Sequence, residues 1–249
     1  MPSSSDRRPG SSRVLLFDVD GTLVHAGGAG RRALERVMRA ELGAIDGALA
    51  RLRLDGMTDR LIVREVLEAV GRPFDDALCD RLLADYVGAL REEIDGPGFA
   101  VLPGVHALLD ELSRAGASLG LCTGNVPEGA RIKLARGRLD GFFAWGPDAI
   151  AGFADDGEAR ELLVRAALDR AARHRGHPVA PSDFLVIGDT PRDVVAARAH
   201  GVPVLAVATG RYRADELRTA GAHAVRATLE GAAAELLAWA EGGVCPGDR

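Results

Sequence analysis

Val14-Leu15-Leu16-Phe17-Asp18-Val19-Asp20-Gly21-Thr22-Leu23 is the stretch on which the fold turns. Four apolar residues end abruptly in a polar turn, which predicts a buried strand running into a loop. On its N-terminal side, residues 1–12 are polar and rich in Ser, Pro and Arg. They lack the apolar segment of a secretory signal and read as a disordered tail. On its C-terminal side, Gly27-Gly28-Ala29-Gly30 is flexible enough to act as a hinge.

From Arg31 to Leu90 the apolar period is helical, with stripes at Leu34, Val37, Met38, Leu42, then Leu61, Ile62, Val66, Val70, then Leu78, Leu82, Leu83, Tyr86. These stripes are helix-packing faces, and no strand is expected among them. Gly96-Pro97-Gly98 breaks the run. Beyond Pro103-Gly104 helices and strands alternate. Helices are predicted over 105–114, 126–136, 158–173, 193–199 and around 229–240. Strands are predicted over 118–122, 184–187 and 204–207, with a short one at 142–145. Such alternation specifies a parallel sheet covered on both faces, an α/β core of the doubly wound, Rossmann-like class. The expected division is an α/β core of residues 13–24 and 101–249, interrupted by an all-helical cap at 25–100.

The composition narrows the function. A net charge of −5 gives no broad positive field, so nucleic acid is not the expected partner. No apolar run reaches the roughly 20 residues needed to cross a bilayer, so no membrane role is expected. Cys79, Cys122 and Cys245 are too few and too scattered for a disulfide framework or a zinc site, which fits reduced thiols in a cytoplasmic protein. Lys133 is the only lysine, so chemistry that demands an amine is easy to locate.

In open parallel sheets, ligands gather beyond the carboxyl ends of the strands. There this sequence offers Asp18 and Asp20 after the first strand, Thr123-Gly124-Asn125 after the next, and Gly188-Asp189-Thr190-Pro191-Arg192-Asp193 after the strand at 184–187. Carboxylates brought to one sheet edge repel unless a cation sits among them, and oxygen ligands suit a hard ion such as Mg2+. Asp-x-Asp-Gly also occurs in calcium loops, but the later acidic ligands of such a loop are missing here.

Asp18-Val19-Asp20-Gly21-Thr22-Leu23 resembles the first motif of the haloacid dehalogenase superfamily. Thr123-Gly124-Asn125 resembles the second, and the segment from Gly188 to Asp193 the fourth. Their order and spacing fit residues 13 to 240, and the helical insert resembles the helical cap of the phosphoglycolate-phosphatase-like branch. The resemblance implies a magnesium-dependent phosphatase that hydrolyses a small phosphorylated metabolite through an aspartyl-phosphate. Asp18 would be the nucleophile, and Asp20 the acid and base. Asp18, Asp189 and the Asp20 carbonyl would hold the metal, and Asp193 a metal-bound water or a cation. Thr123, Gly124 and Asn125 would hold phosphate oxygens.

The third motif departs from the family pattern, which usually places a lysine at the start of the helix before the fourth-motif strand. Arg160 lies near that start and is the preferred cation. Lys133 is the rival, although it lies about 10 Å along its own helix at 1.5 Å per residue. In the insert, Thr58 or Asp59 is expected to cap a helix, with a contact from Arg60 to a substrate anion as the alternative role for this turn. Other chemistry on the same fold fits less well. Haloacid dehalogenation needs no acid at position 20, and Schiff-base phosphonate hydrolysis needs a cap lysine, absent from residues 25–100. A sugar-phosphate mutase and a non-catalytic binding protein stay open as alternatives.

Overall fold

The computed structural model describes residues 13–45 and 47–247. The predicted tail at 1–12 lies outside them. The central strand β1 (Val14–Phe17) is wholly buried and leads into β2 (Val24–Ala26). Helices α1 (Ala29–Leu42), α2 (Ala48–Arg51), α3 (Asp59–Ala69) and α4 (Asp76–Glu93) follow. The chain returns through β3 (Phe99–Val101) to α5 (Val105–Arg114), β4 (Ser118–Cys122), α6 (Pro127–Arg136), β5 (Ala151–Gly152) and α7 (Arg160–Arg175). It closes with β6 (Phe184–Gly188), α8 (Pro191–Ala199), β7 (Val204–Val207), α9 (Ala214–Thr219), β8 (Ala224–Arg226) and α10 (Ala233–Ala240).

The main sheet runs β5-β4-β1-β6-β7-β8, and every pairing is parallel. In chain order this sheet reads third, second, first, fourth, fifth, sixth. The direction of winding therefore reverses between β1 and β6, where a crevice opens beyond the strand ends. Both neighbours pair with β1 over its whole length, Phe17 opposite Leu121 on one side and Ile187 on the other. Successive side chains face opposite ways. Leu15, Phe17, Leu185 and Ile187 face the layer of α5, α6 and α10, whereas Val14, Leu16, Phe184 and Val186 face that of α7, α8 and α9. A strand covered on both faces must be apolar throughout, which is why four consecutive apolar residues stand before Asp18.

The four helices between β2 and β3 bury a separate apolar cluster that includes Leu34, Met38, Val63, Leu67, Leu82 and Tyr86. The Thr58 hydroxyl caps α3 through Leu61 N–H, and the Asp75 carboxylate caps α4 through Leu78 N–H. The two connections to the core pair as an antiparallel ribbon, with His25 opposite Ala100. At Gly27 φ is +61°, and a Cβ there would meet the Pro97 carbonyl at 2.4 Å, so only glycine fits the crossing.

The structure corrects the sequence reading in three places. The predicted strand at 142–145 is a 3-10 turn at Asp140–Phe142 followed by extended chain, and Phe143 packs edge-on against Phe17 instead of joining the sheet. The edge strand is β5, two residues long and made of Ala and Gly, too small to register as an apolar run. The β2–β3 ribbon and β8 were not anticipated, each being only three residues long. Among the described residues no helix is long and apolar enough to cross a membrane. Among the described residues no two cysteines form a disulfide, and burial pushes the Cys79 thiol up to about 11 and the Cys122 thiol to about 12.

Strand β5 is held against α7 so closely that a Cβ on Gly152 would lie 1.9 Å from the Leu163 carbonyl oxygen. Gly152→Ala is therefore expected to cost about 2 kcal/mol or more, whereas Gly141→Ala, with nothing within 4 Å, should stay within about 0.5 kcal/mol. Urea unfolding of both variants checks this.

Candidate active site

The crevice at the reversal point collects the polar residues that follow β1, β4 and β6. Asp18, Asp189 and Asp193 are buried together there, each offering a carboxylate oxygen within 4.8 Å of the others. Asp189 fits because its neighbours are glycines. A Cβ on Gly21 would come within 2.3 Å of its carboxylate, and one on Gly210 within 1.7 Å. The Thr22 hydroxyl donates to Asp189 at 3.3 Å. Asp193 belongs to the first turn of α8. Its Oδ2 accepts from the Thr190 N–H and hydroxyl at 3.0 and 2.7 Å, while the Thr190 hydroxyl accepts from Asp193 N–H.

One guanidinium faces this cluster. Arg160, the first residue of α7, lies 2.8 Å from Asp18 and touches Asp193 Oδ1, and it is itself buried. Three carboxylates against one guanidinium leave negative charge uncompensated. Burial pushes the Asp18 carboxyl up to about 6; Arg160 opposes the shift, while Asp193 and Asp20 add to it. Asp189 is raised well above the ordinary carboxylate range by burial and by Asp18 and Asp193, again against Arg160. Burial by itself would lower the Arg160 pKa, but Asp193 and Asp18 outweigh it, so this cation stays charged. Asp193 Oδ1 touches the guanidinium without hydrogen-bond geometry and has no donor of its own. Crowded oxygen donors, an excess of negative charge and an orphaned carboxylate oxygen fit a hard divalent cation.

Asp20 stands apart from this group. Its Oδ2 accepts from Lys133 Nζ at 2.6 Å and from Asn125 Nδ2 at 2.9 Å. The Asn125 amide also donates to the Thr123 hydroxyl at 2.8 Å and accepts from Lys133 at 2.6 Å. Both amide hydrogens are thus used inside the protein. Thr123, buried at the end of β4, accepts from Asn125 and keeps its own O–H to donate. Lys133 reaches Asp20 despite its position two turns along α6. Helical side chains lean back toward the helix N-terminus, which carries Nζ past Gly30 of α1, where a Cβ would stand 3.6 Å away in ordinary contact. The structure therefore places both candidate cations at the strand ends, Arg160 against Asp18 and Lys133 against Asp20.

The helical insert roofs the crevice. Asp59 N–H donates to the Gly124 carbonyl at 2.7 Å, and the Asp59 carboxylate accepts from Val126 N–H at 2.8 Å. Gly124 allows this approach, since a Cβ there would lie 2.2 Å from the Met57 carbonyl. Arg64 grips Glu158 with two hydrogen bonds of 2.6 and 2.7 Å across the same boundary. Thr58 is a cap as expected, but Asp59 reaches across to the core, a role its place in a turn gave no sign of. Arg60 pairs with Asp76 and Asp80 on α4. Beneath the roof is a cavity of about 660 Å3, lined by Asp18, Asp20, Thr123, Lys133, Arg160 and Asp189 from below. His25, Arg31, Met57 and Tyr86 line it from the insert side. Sequence reasoning missed Arg31 and Tyr86, which sit in ordinary helical stretches.

Comparison with known proteins gives a consistent result. The sequence pattern of the family described as haloacid dehalogenase-like hydrolase matches residues 13–201. A phosphoglycolate phosphatase of Rhodospirillum rubrum is 32% identical over 223 residues, covering 86% of each chain. A hydrolase of known structure from Pseudomonas syringae is 25% identical, with a TM-score of 0.61 over 90% of this chain and 97% of its own. A predicted phosphatase from Clostridium acetobutylicum, 21% identical, shares the fold with a TM-score of 0.66 over 91% of this chain and 98% of its own.

The contact of Asp59 with the core sets a pH dependence. Burial raises its carboxyl to about 6, while Lys133 and the Val126 N–H work the other way. A carboxyl raised on folding contributes stability that is present at about pH 4 and lost as pH rises through about 6. Asp59→Asn keeps the acceptor for Val126 without this loss. Relative to the unsubstituted protein it should gain on the order of 2 kcal/mol between pH 4 and pH 8, measured by urea unfolding across that range.

Proposed function

The chain belongs to the haloacid dehalogenase-like hydrolase family, and from that premise we propose that it hydrolyses a small phosphate monoester with Asp18 as nucleophile and Mg2+ as the divalent ion. Phosphoglycolate, named for relatives such as the R. rubrum enzyme, is the first substrate to assay. The observation that carries the reading is the separation of two carboxylates two residues apart. Asp18 lies in a buried cluster beside Arg160, and Asp20 is held away from that cluster by Lys133 and Asn125. One can attack while the other handles protons.

Asp18, Asp189 and Asp193 would hold the ion, Asp193 either directly or through a water, with the Asp20 main-chain carbonyl completing the set. When bound, it supplies positive charge against the phosphoryl oxygens and the nucleophile. The Thr123 hydroxyl and the main-chain N–H groups of Gly124 and Asn125 orient the phosphoryl group. An Asp18 carboxylate oxygen attacks phosphorus, and the ester P–O bond breaks. Asp20 gives its proton to the leaving alkoxide, so an alcohol departs and an aspartyl-phosphate remains. A water then attacks phosphorus, its proton passes to Asp20, inorganic phosphate leaves, and the Asp18 carboxylate is restored.

The two cations divide the work. Arg160 stabilises the nucleophile and the phosphoryl charge, while Lys133, together with Asn125, fixes where Asp20 stands. The insert acts as a cap that excludes bulk water from the phosphoenzyme, with the β2–β3 ribbon as its hinge. The reduced thiols and the small anionic substrate suit a cytoplasmic setting.

Phosphate release from phosphoglycolate and p-nitrophenyl phosphate tests the reading. Turnover is expected with Mg2+ and is lost with a chelator. Asp18→Asn should be folded and inactive; a folded variant with near-normal kcat would sink the mechanism. Arg160→Ala should lower kcat/KM by roughly 10²-fold or more on both esters. Lys133→Ala should hurt phosphoglycolate more than p-nitrophenyl phosphate, whose leaving group needs little protonation. Equal losses on the two esters would rule out a link between Lys133 and the acid.

A further inference from the structure

We propose that Arg31 determines specificity at this site by receiving a second oxyanion of the substrate, so that preferred phosphate esters carry a carboxylate or a further phosphate beside the group hydrolysed. This rests on the phosphatase reading and deepens it.

Four lysine and arginine side chains line the cavity, beside His25. Lys133 lies 2.6 Å from Asp20, Arg160 lies 2.8 Å from Asp18, and Arg211 lies 3.6 Å from Asp55. Arg31 differs. Among the described residues its recorded partners are main-chain carbonyls alone, Leu49 at 2.5 Å from Nη1 and Leu52 at 3.1 Å from Nη2. A carbonyl fixes the orientation of a guanidinium but leaves its full charge in place. The side chain is partly buried, so solvent does not screen that charge as it would on an open surface. The planar fork has five N–H donors, and two carbonyl contacts leave the others for a ligand. An orientated, uncompensated guanidinium is a receptor for a planar carboxylate or a phosphate face.

Gly30 locates the turn of α1 that carries Arg31, and Arg31 itself lines the same cavity as Asp18, Asp20 and Lys133. Gly30 precedes Arg31 in the first turn of α1, and a Cβ on Gly30 would stand 3.6 Å from Lys133 Nζ and 3.4 Å from the Tyr86 hydroxyl. Lys133 Nζ in turn bonds Asp20. This turn of α1 therefore lies directly over the acid that serves the leaving group. An anion carried on the leaving alcohol is the part of the substrate that comes nearest to it, while the phosphoryl group is held at Asp18 and Thr123 below. Arg31 also has a structural role, because its carbonyl partners lie at the end of the short helix α2 and such contacts tie a helix terminus down. The two roles give different kinetics.

The test compares three esters on one two-carbon skeleton, phosphoglycolate, 2-hydroxyethyl phosphate and ethane-1,2-diyl bisphosphate. Phosphate release by the full chain is measured with Mg2+ for the unsubstituted protein, Arg31→Gln and Arg31→Lys. The unsubstituted protein should favour at least one of the two esters that carry a second anionic group over the hydroxyl ester by roughly tenfold or more in kcat/KM. Which of the two is favoured identifies the second group as carboxylate or phosphate. Arg31→Gln should collapse that preference mainly through KM, and Arg31→Lys should keep part of it. An equal loss on all three esters means that Arg31 only secures α2, and overturns the proposal. A preference that persists in Arg31→Gln overturns it as well. Turnover of all three esters with no preference in the unsubstituted protein removes the recognition but leaves the phosphatase reading standing. Turnover of none removes both.

Discussion

The contact of Arg160 with Asp18 and Asp193 is the interaction from which the rest of the site takes its shape. It joins the end of β1, the start of α7 and the first turn of α8, which are far apart in the chain. Burying three carboxylates costs far more than one guanidinium returns, so the arrangement is poised for a further positive charge. The glycines at positions 21 and 210 belong to the same constraint, because any side chain there would occupy the space of the Asp189 carboxylate. The sheet supplies the geometry. Its winding reverses between β1 and β6, and this opens a crevice where Asp18 and Asp189 lie side by side.

A second polar centre, organised around Asn125, keeps Asp20 distinct from that cluster. The amide uses both hydrogens and its oxygen, so it ties Thr123, Asp20 and Lys133 into one unit. Asp20 therefore answers to Lys133 and Asn125 rather than to the buried carboxylate cluster. The proximity of Asp18 and Asp20 in sequence thus becomes a separation in chemistry. Each carboxylate faces its own cation, and the two cations come from different helices.

The insert is integrated with the core by main-chain contacts as well as side chains. The Asp59 N–H to Gly124 carbonyl bond and the Asp59 carboxylate on Val126 N–H join the roof to the same loop that carries Thr123 and Asn125. The position of the roof and the shape of the loop at 123–126 are therefore tied together through shared hydrogen bonds. The Arg64–Glu158 pair extends the contact to the residue two before Arg160. The insert also contributes Arg31 to the wall of the cavity that holds the carboxylates.

What the sequence determined by itself was the local and periodic part. Four apolar residues before Asp18 specified a strand buried on both faces, and alternation downstream specified a parallel sheet, because these signals arise within a few residues of one another. The motif residues Asp18, Thr123 and Asp189 were legible for the same reason, each standing directly after an apolar strand. Residues 151–152 escaped because Ala and Gly give no apolar signal, and the FFAW run at 142–145 misled because apolar residues pack equally well in a turn. Tertiary structure alone decided the partners of the cations. Position along α6 put Lys133 far from the site, yet its side chain leans back toward the helix start and reaches Asp20, which stands more than a hundred positions away in the chain. Asp59 read as a candidate helix cap and Arg31 as an ordinary helix residue, since nothing local records which surface a helix will face. A residue's periodicity is fixed by its own segment, whereas its counter-charge is fixed by whichever segment packs opposite, and that is settled only when the chain has folded.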